Sequence, residues 1–357
     1  MGVVGKERRI VFVIGSMRRG GAERVISILA NRYASAGWSV DVLLLLDQQC
    51  SYVLNPKISV IPICNGRVSR LGHVPFWLRA MRKHFRDRKP RAVVSFIARI
   101  NVLTLLACMG LGLNVVVSER TDPKHDGRSW LVRMATSLLY RTAKTVVFQT
   151  KSAQSCFPRS VQRKSVIIWN PISVDTVAQR DRRKKIVTAG RLQPEKNHEM
   201  LINAFCIVRN RYPDYELVIY GEGRLRRDLL TQIARMNLTD SVFLPGSVAD
   251  VHEQMADAEM FVLSSNHEGL SNALCEAMLM GLPCISTKCG GSNEVLIHDQ
   301  NGLLVDIGNE QQLAEAMLSL IEDKEKAIRL SFAGNQTAEQ MRKDIVASHW
   351  ETVIECG

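Results

Sequence analysis

Met260-Phe261-Val262-Leu263-Ser264-Ser265-Asn266-His267-Glu268-Gly269-Leu270-Ser271-Asn272-Ala273-Leu274-Cys275-Glu276 is the stretch from which the rest of the chain can be read. The apolar run Met260–Leu263 has the length and character of a buried strand. Glu268-Gly269 turns the chain, and Ser271 or Asn272 can cap a helix that continues through Met280. One carboxylate then sits in the turn, and Glu276 lies about one turn inside the helix. The first amide N–H groups of such a helix lack partners within it and favour an anion. Two carboxylates alone repel a phosphate. They suit a neutral sugar hydroxyl on one side and a ribose diol on the other.

Working outward, the pattern of strand, turn and helix repeats. Ile186–Ala189 reads as a strand leading into Gly190-Arg191-Leu192-Gln193-Pro194-Glu195-Lys196-Asn197, with a helix to about Arg211. Arg191 and Lys196 flank that turn, so two cations can converge on one anion. Glu216–Gly223, Val242–Gly246, Pro283–Thr287 and Gly302–Val305 continue the alternation, with helices to the end. In the first half, Arg9–Ile14 is a strand, Gly15 to Glu23 a glycine-rich turn, about Ala22–Ala36 a helix ending at Gly37, and Val40–Leu46 a second strand. That is the βαβ unit of a doubly wound sheet. Gly20 and Gly21 allow a backbone to approach a ligand closely. The turn matches neither GxGxxG nor a P-loop, which disfavours dinucleotide and ATP sites. Ala92–Phe96, Val115–Ser118, Thr145–Gln149 and Val166–Ile168 complete this half, and Trp169-Asn170-Pro171 reads as a linker. These boundaries give domains 1–170 and 171–340.

The run EGLSNALCEAM, with Glu268 and Glu276 separated by seven residues and followed by Gly281-Leu282-Pro283 and Gly290-Gly291, resembles the E-x7-E signature of retaining glycosyltransferases of family 4. GRLQPEKN at 190–197, RGGAERV at 19–25 and Ser118-Glu119-Arg120-Thr121-Asp122-Pro123 carry the same resemblance. It extends over nearly the whole chain, and among bacterial members it points to exopolysaccharide transferases of the amylovoran type and to GalNAc or Gal transferases acting on lipid-linked oligosaccharides. The resemblance implies an α/β GT-B fold, two Rossmann-like doubly wound domains facing each other across a cleft, with residues after about 341 returning to the first domain. It implies that Arg191 and Lys196 hold the donor diphosphate, that Gly246 and Ser247 lie at the base, and that the loop at Gly20 and Gly21 faces donor phosphates and acceptor. The backbone amides of Gly269, Leu270, Ser271 and Asn272 would add to the phosphate cradle. Glu268 would bind sugar hydroxyls and orient the donor, and Glu276 would accept hydrogen bonds from the ribose. Arg120 would either contact an acceptor diphosphate or be salt-bridged locally. His267 reads as structural.

The activity so implied is hexosyl transfer with retention, from a UDP-sugar to a polyprenyl-diphosphate-linked saccharide in surface polysaccharide or glycan assembly. Front-face displacement is the family's usual mechanism, a leaving phosphate oxygen taking the acceptor proton. No cofactor and no metal are expected: the nearest approach to an Asp-x-Asp metal motif, Asp257-Ala258-Glu259, falls where helix meets strand and reads as structural. The rivals are a nucleotide-sugar epimerase or hydrolase on the same scaffold, a non-catalytic GT-B scaffold, and a basic nucleic-acid-binding protein. The last lacks any helix-turn-helix or RNA-recognition signature, so no nucleic-acid partner is expected.

Charge is divided unevenly. Residues 1–170 hold 28 Lys+Arg against 8 Asp+Glu, a net +20, whereas residues 171–357 hold 19 against 27, a net −8. One half suits an anionic partner. Gly66–Arg91 is the most basic stretch, and Trp77, Met81 and Phe85 recur within it at helical spacing. This stripe can meet an anionic membrane surface or pack on the sheet beneath it. Trp130–Lys144 is a second basic segment, with Arg133, Arg141 and Lys144. No apolar run reaches about 18 residues, the start has too short an apolar stretch for a signal peptide, and the nine cysteines form no CxxC pair. A reduced, cytoplasmic chain at the inner face of the cytoplasmic membrane is expected.

Overall fold

The computed structural model describes residues 8–18, 20–63, 73–121, 123, 126–174 and 181–355. Of the sequence features above, Arg19, Gly66, Arg67, Arg70 and Asp122 lie outside the described residues. The chain divides into two compact units, Met1–Pro171 with Lys343–Gly357, and Ile172–Arg342.

Unit 1 contains β1 (Arg9–Ile14), α1 (Gly21–Ser35), β2 (Ser39–Leu44), β3 (Ile58–Pro62), α2 (Val74–Arg88), β4 (Ala92–Phe96), α3 (Ala98–Cys108), β5 (Asn114–Ser118), α4 (Trp130–Leu139), β6 (Thr145–Phe148), α5 (Lys151–Ser155), α6 (Arg159–Gln162) and β7 (Ser165–Ile167). The seven strands are parallel in the order β3-β2-β1-β4-β5-β6-β7. Strands covered on both faces are near-continuous apolar runs, and successive side chains alternate between the two faces. In β1, Ile10, Phe12 and Ile14 join one core with α1, while Val11 and Val13 join the other with α2 and α3. Trp77, Met81 and Phe85 of α2 belong to the second core, at 5%, 0% and 0% exposure. Of the two expectations for that stripe, packing on the sheet is the one found.

Unit 2 contains β8 (Arg183–Ala189), α7 (His198–Arg211), β9 (Glu216–Tyr220), α8 (Arg226–Arg235), β10 (Val242–Gly246), α9 (Val251–Met255), β11 (Ala258–Leu263), α10 (Asn272–Leu279), β12 (Cys284–Thr287), α11 (Ser292–Val295), β13 (Leu303–Val305), α12 (Glu310–Glu322) and α13 (Lys324–Glu339). Its six strands are parallel in the order β10-β9-β8-β11-β12-β13. The chain then enters α14 (Lys343–Glu355), whose Val346, Ala347, Trp350 and Ile354 are buried in the core of unit 1 beside α1.

In each sheet the strand order reverses beside the first strand of the unit. Open α/β sheets bind ligands outside the carboxyl ends of the strands at such a reversal. In unit 1 the loops there follow β1 and β4. In unit 2 they follow β8 and β11, and they carry Arg191, Lys196 and Glu268.

Candidate active site

The loops after β8 and β11 are stitched together by their backbones and short polar side chains. Asn266 N–H donates to Glu195 O at 2.8 Å, Ser264 Oγ to Lys196 O at 2.9 Å, and Asn197 Nδ2 to Asn266 Oδ1 at 3.0 Å. Asn197 is able to start α7 in a left-handed conformation, φ 47°, because its short amide side chain accepts from Met200 N–H. This stitching brings the Lys196 ammonium onto Glu268 Oε1 as an ion pair between two largely enclosed side chains. Ser265 Oγ donates to the same carboxylate oxygen at 3.1 Å. Arg191 stands differently. Its side chain is 75% exposed and only loosely held, 3.5 Å from Glu195 Oε1.

Two glycines set how closely the supporting turns approach. A Cβ on Gly291 would lie 1.4 Å from Gly269 O, and Gly291 N–H donates to Glu268 O at 3.2 Å. Gly221, at φ +139°, would put a Cβ 1.9 Å from Gly190 O. Both turns bearing the charged residues therefore rest on neighbouring backbone, with no room for a side chain.

Ser271 is the N-cap of α10, its Oγ accepting from Leu274 N–H at 3.4 Å, and Asn272 is the first helical residue. Leu270 is buried. The first turn of α10 thus opens beside Gly269, on the same loop as Glu268. Glu276 projects one turn further on, where His252 Nε2 of α9 stands 3.2 Å from Glu276 Oε2, too oblique for a hydrogen bond. Local sequence held no signal for His252, which is brought there by the return of the chain from β10. Gly246 closes β10 at φ +90°, its carbonyl accepting from Gly221 N–H at 2.9 Å, and Ser247 is exposed just beyond. His267 is exposed on the loop. Asp257 pairs with Arg183 and Lys185, while Glu259 accepts from Tyr215 and Lys324, so both carboxylates of the Asp-x-Asp-like segment are engaged structurally.

The remaining expected residues lie in unit 1. Gly20 is the N-cap of α1 and Gly21 its first residue; Tyr52 Oη accepts from Gly20 N–H at 3.1 Å and donates to Gly20 O at 2.8 Å, clamping the loop. Arg120 does not form the local salt bridge expected of it as one alternative. It has no carboxylate partner among the described residues, and its guanidinium is largely surrounded by protein. Nη1 donates to Asn170 Oδ1 at 3.0 Å, Nε and Nη2 are buried without partners, and the guanidinium carbon lies 5.4 and 5.2 Å from the ring centres of Phe96 and Trp350. Burial pulls its pKa down to about 9, and the two ring faces favour the cation that remains.

Two family profiles match the chain: "Glycosyl transferase 4-like domain" over residues 20–164 and "Glycosyl transferases group 1" over residues 183–323. The chain belongs to the bacterial GT4-type glycosyltransferases. Among curated relatives of this transferase is a Campylobacter jejuni N-acetylgalactosamine-N,N'-diacetylbacillosaminyl-diphospho-undecaprenol 4-alpha-N-acetylgalactosaminyltransferase, 28% identical, with 88% of this chain and 91% of the relative covered. A second C. jejuni enzyme, a GalNAc-alpha-(1->4)-GalNAc-alpha-(1->3)-diNAcBac-PP-undecaprenol alpha-1,4-N-acetyl-D-galactosaminyltransferase, is 26% identical over 96% of this chain and 95% of its own. HepE of Anabaena, solved in complex with UDP, shares the GT-B fold with a TM-score of 0.81 at 19% identity, over 98% of this chain and 100% of that one.

Proposed function

We propose that the transferase moves a hexose or N-acetylhexosamine from a UDP-sugar to a polyprenyl-diphosphate-linked saccharide, with retention and without a metal. The observation that carries this reading is the meeting of Lys196, Glu268 and the first turn of α10 at the strand-order reversal of unit 2, with Arg191 exposed on the adjoining turn. A leaving diphosphate needs positive charge aimed at its oxygens as the glycosidic bond breaks. Arg191, Lys196 and the helix amides supply that charge from the protein. Glu268 is already an acceptor for Lys196 and Ser265, which suits orientation of sugar hydroxyls better than covalent attack on the anomeric carbon. In the front-face course the bond from acceptor oxygen to the anomeric carbon forms as the bond to phosphate oxygen breaks on the same face. The departing phosphate oxygen takes the acceptor proton. Glu276 then accepts from the ribose hydroxyls.

The acceptor rests on the two Campylobacter relatives, whose names specify undecaprenyl-diphosphate saccharides, and the UDP donor on HepE, which holds UDP in this fold. The net +20 of the first half supports contact with an anionic membrane at the cytoplasmic face.

The test is donor turnover in EDTA. The purified chain is incubated with UDP-Gal, UDP-GalNAc, UDP-Glc, UDP-GlcNAc and GDP-Man, with and without bacterial lipid extract, and released nucleoside diphosphate is followed beside Glu268→Gln. Turnover of one UDP-sugar that needs lipid, survives EDTA and is lost in the variant is expected. Absence of UDP binding would overturn the reading, and turnover abolished by EDTA and restored by a divalent cation would overturn its metal-free form.

A further inference from the structure

α2, α3 and α4 lie side by side on one face of the unit 1 sheet. Two of them are well anchored: α2 buries Trp77, Met81 and Phe85, and α3 buries Ile100, Leu105 and Ala107 among others. α4 is anchored far less. Thr136 is its one buried residue, although seven of its ten residues are neither charged nor hydroxylated. Trp130, Leu131, Met134 and Leu138 are 69%, 54%, 50% and 52% exposed. Leu131, Met134 and Leu138 recur at i, i+3 and i+7, so they form one ridge along the outward side of the helix, with Trp130 at its end. Leu106 of α3 and Met109 just beyond it extend the apolar surface, at 37% and 51% exposure. Arg82 of α2 donates to Ala107 O and Met109 O at 3.1 and 2.7 Å, which brings a guanidinium to the edge of that patch.

The exposed charges on α2, α3 and α4 are positive with one exception. Arg79, Lys83 and Arg86 of α2, Arg99 of α3, and Arg133 and Arg141 at α4 are all exposed. Asp87 is the only carboxylate within the three helices, and Lys83 already pairs with it. Four neighbouring apolar side chains cost free energy in water and imply a cover. A second copy of this chain would bring the same positive face against its own. A nucleic acid would use the cations and gain nothing from Leu131, Met134 and Leu138.

We infer that α4 is the element by which this chain enters a bilayer, its Trp130-Leu131-Met134-Leu138 ridge seated among the acyl chains of an anionic membrane while the arginines and lysines of α2–α4 lie against the headgroups. An amphipathic helix with an aromatic at the apolar–polar boundary and cations beside it has the chemistry of an interfacial anchor. The inference rests on and deepens the reading of a lipid-borne acceptor. It moves the point of entry from α2, whose aromatic stripe is spent on the protein core, to α4.

The experiment is flotation of the full chain with vesicles of phosphatidylcholine alone and of phosphatidylcholine with phosphatidylglycerol, comparing wild type with Leu131→Ser/Met134→Ser/Leu138→Ser. Wild type is expected to float with the anionic vesicles, and the triple variant to lose about tenfold or more in partitioning, with unchanged UDP affinity. Brominated lipid should quench wild-type tryptophan fluorescence more than that of Trp130→Phe, a readout that does not depend on the triple variant folding. Equal flotation of both chains, no flotation of wild type, equal quenching, or a wild-type dimer that the triple variant dissolves would each overturn the inference. UDP binding is measured on the same samples, so that wild type floating without binding UDP would overturn the donor reading alone.

Discussion

Lys196 and Glu268 form one ion pair, so the charge of each is balanced by the other. Removing either should lower kcat by on the order of 10²-fold, and the double variant Lys196→Met/Glu268→Gln should lose much less than the product of the two. Steady-state kinetics on the four chains of the cycle measures this; full multiplicativity would mean the two act separately. His252 stands beside Glu276 and helps to shape the space where the ribose is expected. For His252→Ala we expect donor KM to rise about tenfold, equivalent to roughly 1.4 kcal/mol, with kcat nearly unchanged. A fall in kcat at constant KM would assign His252 elsewhere.

At the scale of elements, the start of α7 and the whole of α14 carry consequences for stability. His198 opens α7 at 3% exposure, and burial depresses its pKa from 6.5 to about 4. The unfolded chain therefore binds the proton that the folded chain refuses. Stability from this group is complete above pH 6.5 and falls as pH drops towards 4, by about 3 kcal/mol in all. Denaturant midpoints between pH 7 and 4 should fall less steeply in His198→Phe than in wild type. α14 is held by Trp350, fully buried, 5.5 Å from the Phe96 ring and beneath Arg120. Trp350→Ala should cost about 3–5 kcal/mol. Differential scanning calorimetry should find the loss in the transition of unit 1, because the side chain belongs to that core alone.

For the molecule as a whole, charge and apolar surface act together. A net +20 in the first half attracts an anionic surface over a distance that salt controls. Raising ionic strength from about 0.1 M to about 1 M shortens that distance from ~10 to ~3 Å. Flotation with anionic vesicles should weaken several-fold over this range. UDP affinity, which depends on groups in direct contact, should change less. Equal salt sensitivity of both would mean that the long-range field of the first half has no separate role.

Much of this was legible in the chain itself. Parallel strands covered on both faces must be apolar runs, so β1, β4, β5, β8 and β11 announce themselves, and each is followed by its turn and helix. β3 escaped, because an edge strand with Ser59, Val60 and Pro62 exposed or half-exposed carries no such run. The sequence by itself determined the two doubly wound units, the strand-to-helix turns bearing Arg191, Lys196 and Glu268, and the uneven charge. Only the tertiary structure decided that Lys196 meets Glu268, since β8 and β11 pair across two intervening strands and no local pattern encodes which strands pair. The same holds for His252 beside Glu276 and for Arg120 enclosed between Phe96 and a tryptophan more than two hundred residues away. It holds also for the two apolar helices of unit 1. Spacing alone cannot tell a stripe facing the sheet from one facing outward, and the packing put that of α2 inside and that of α4 outside.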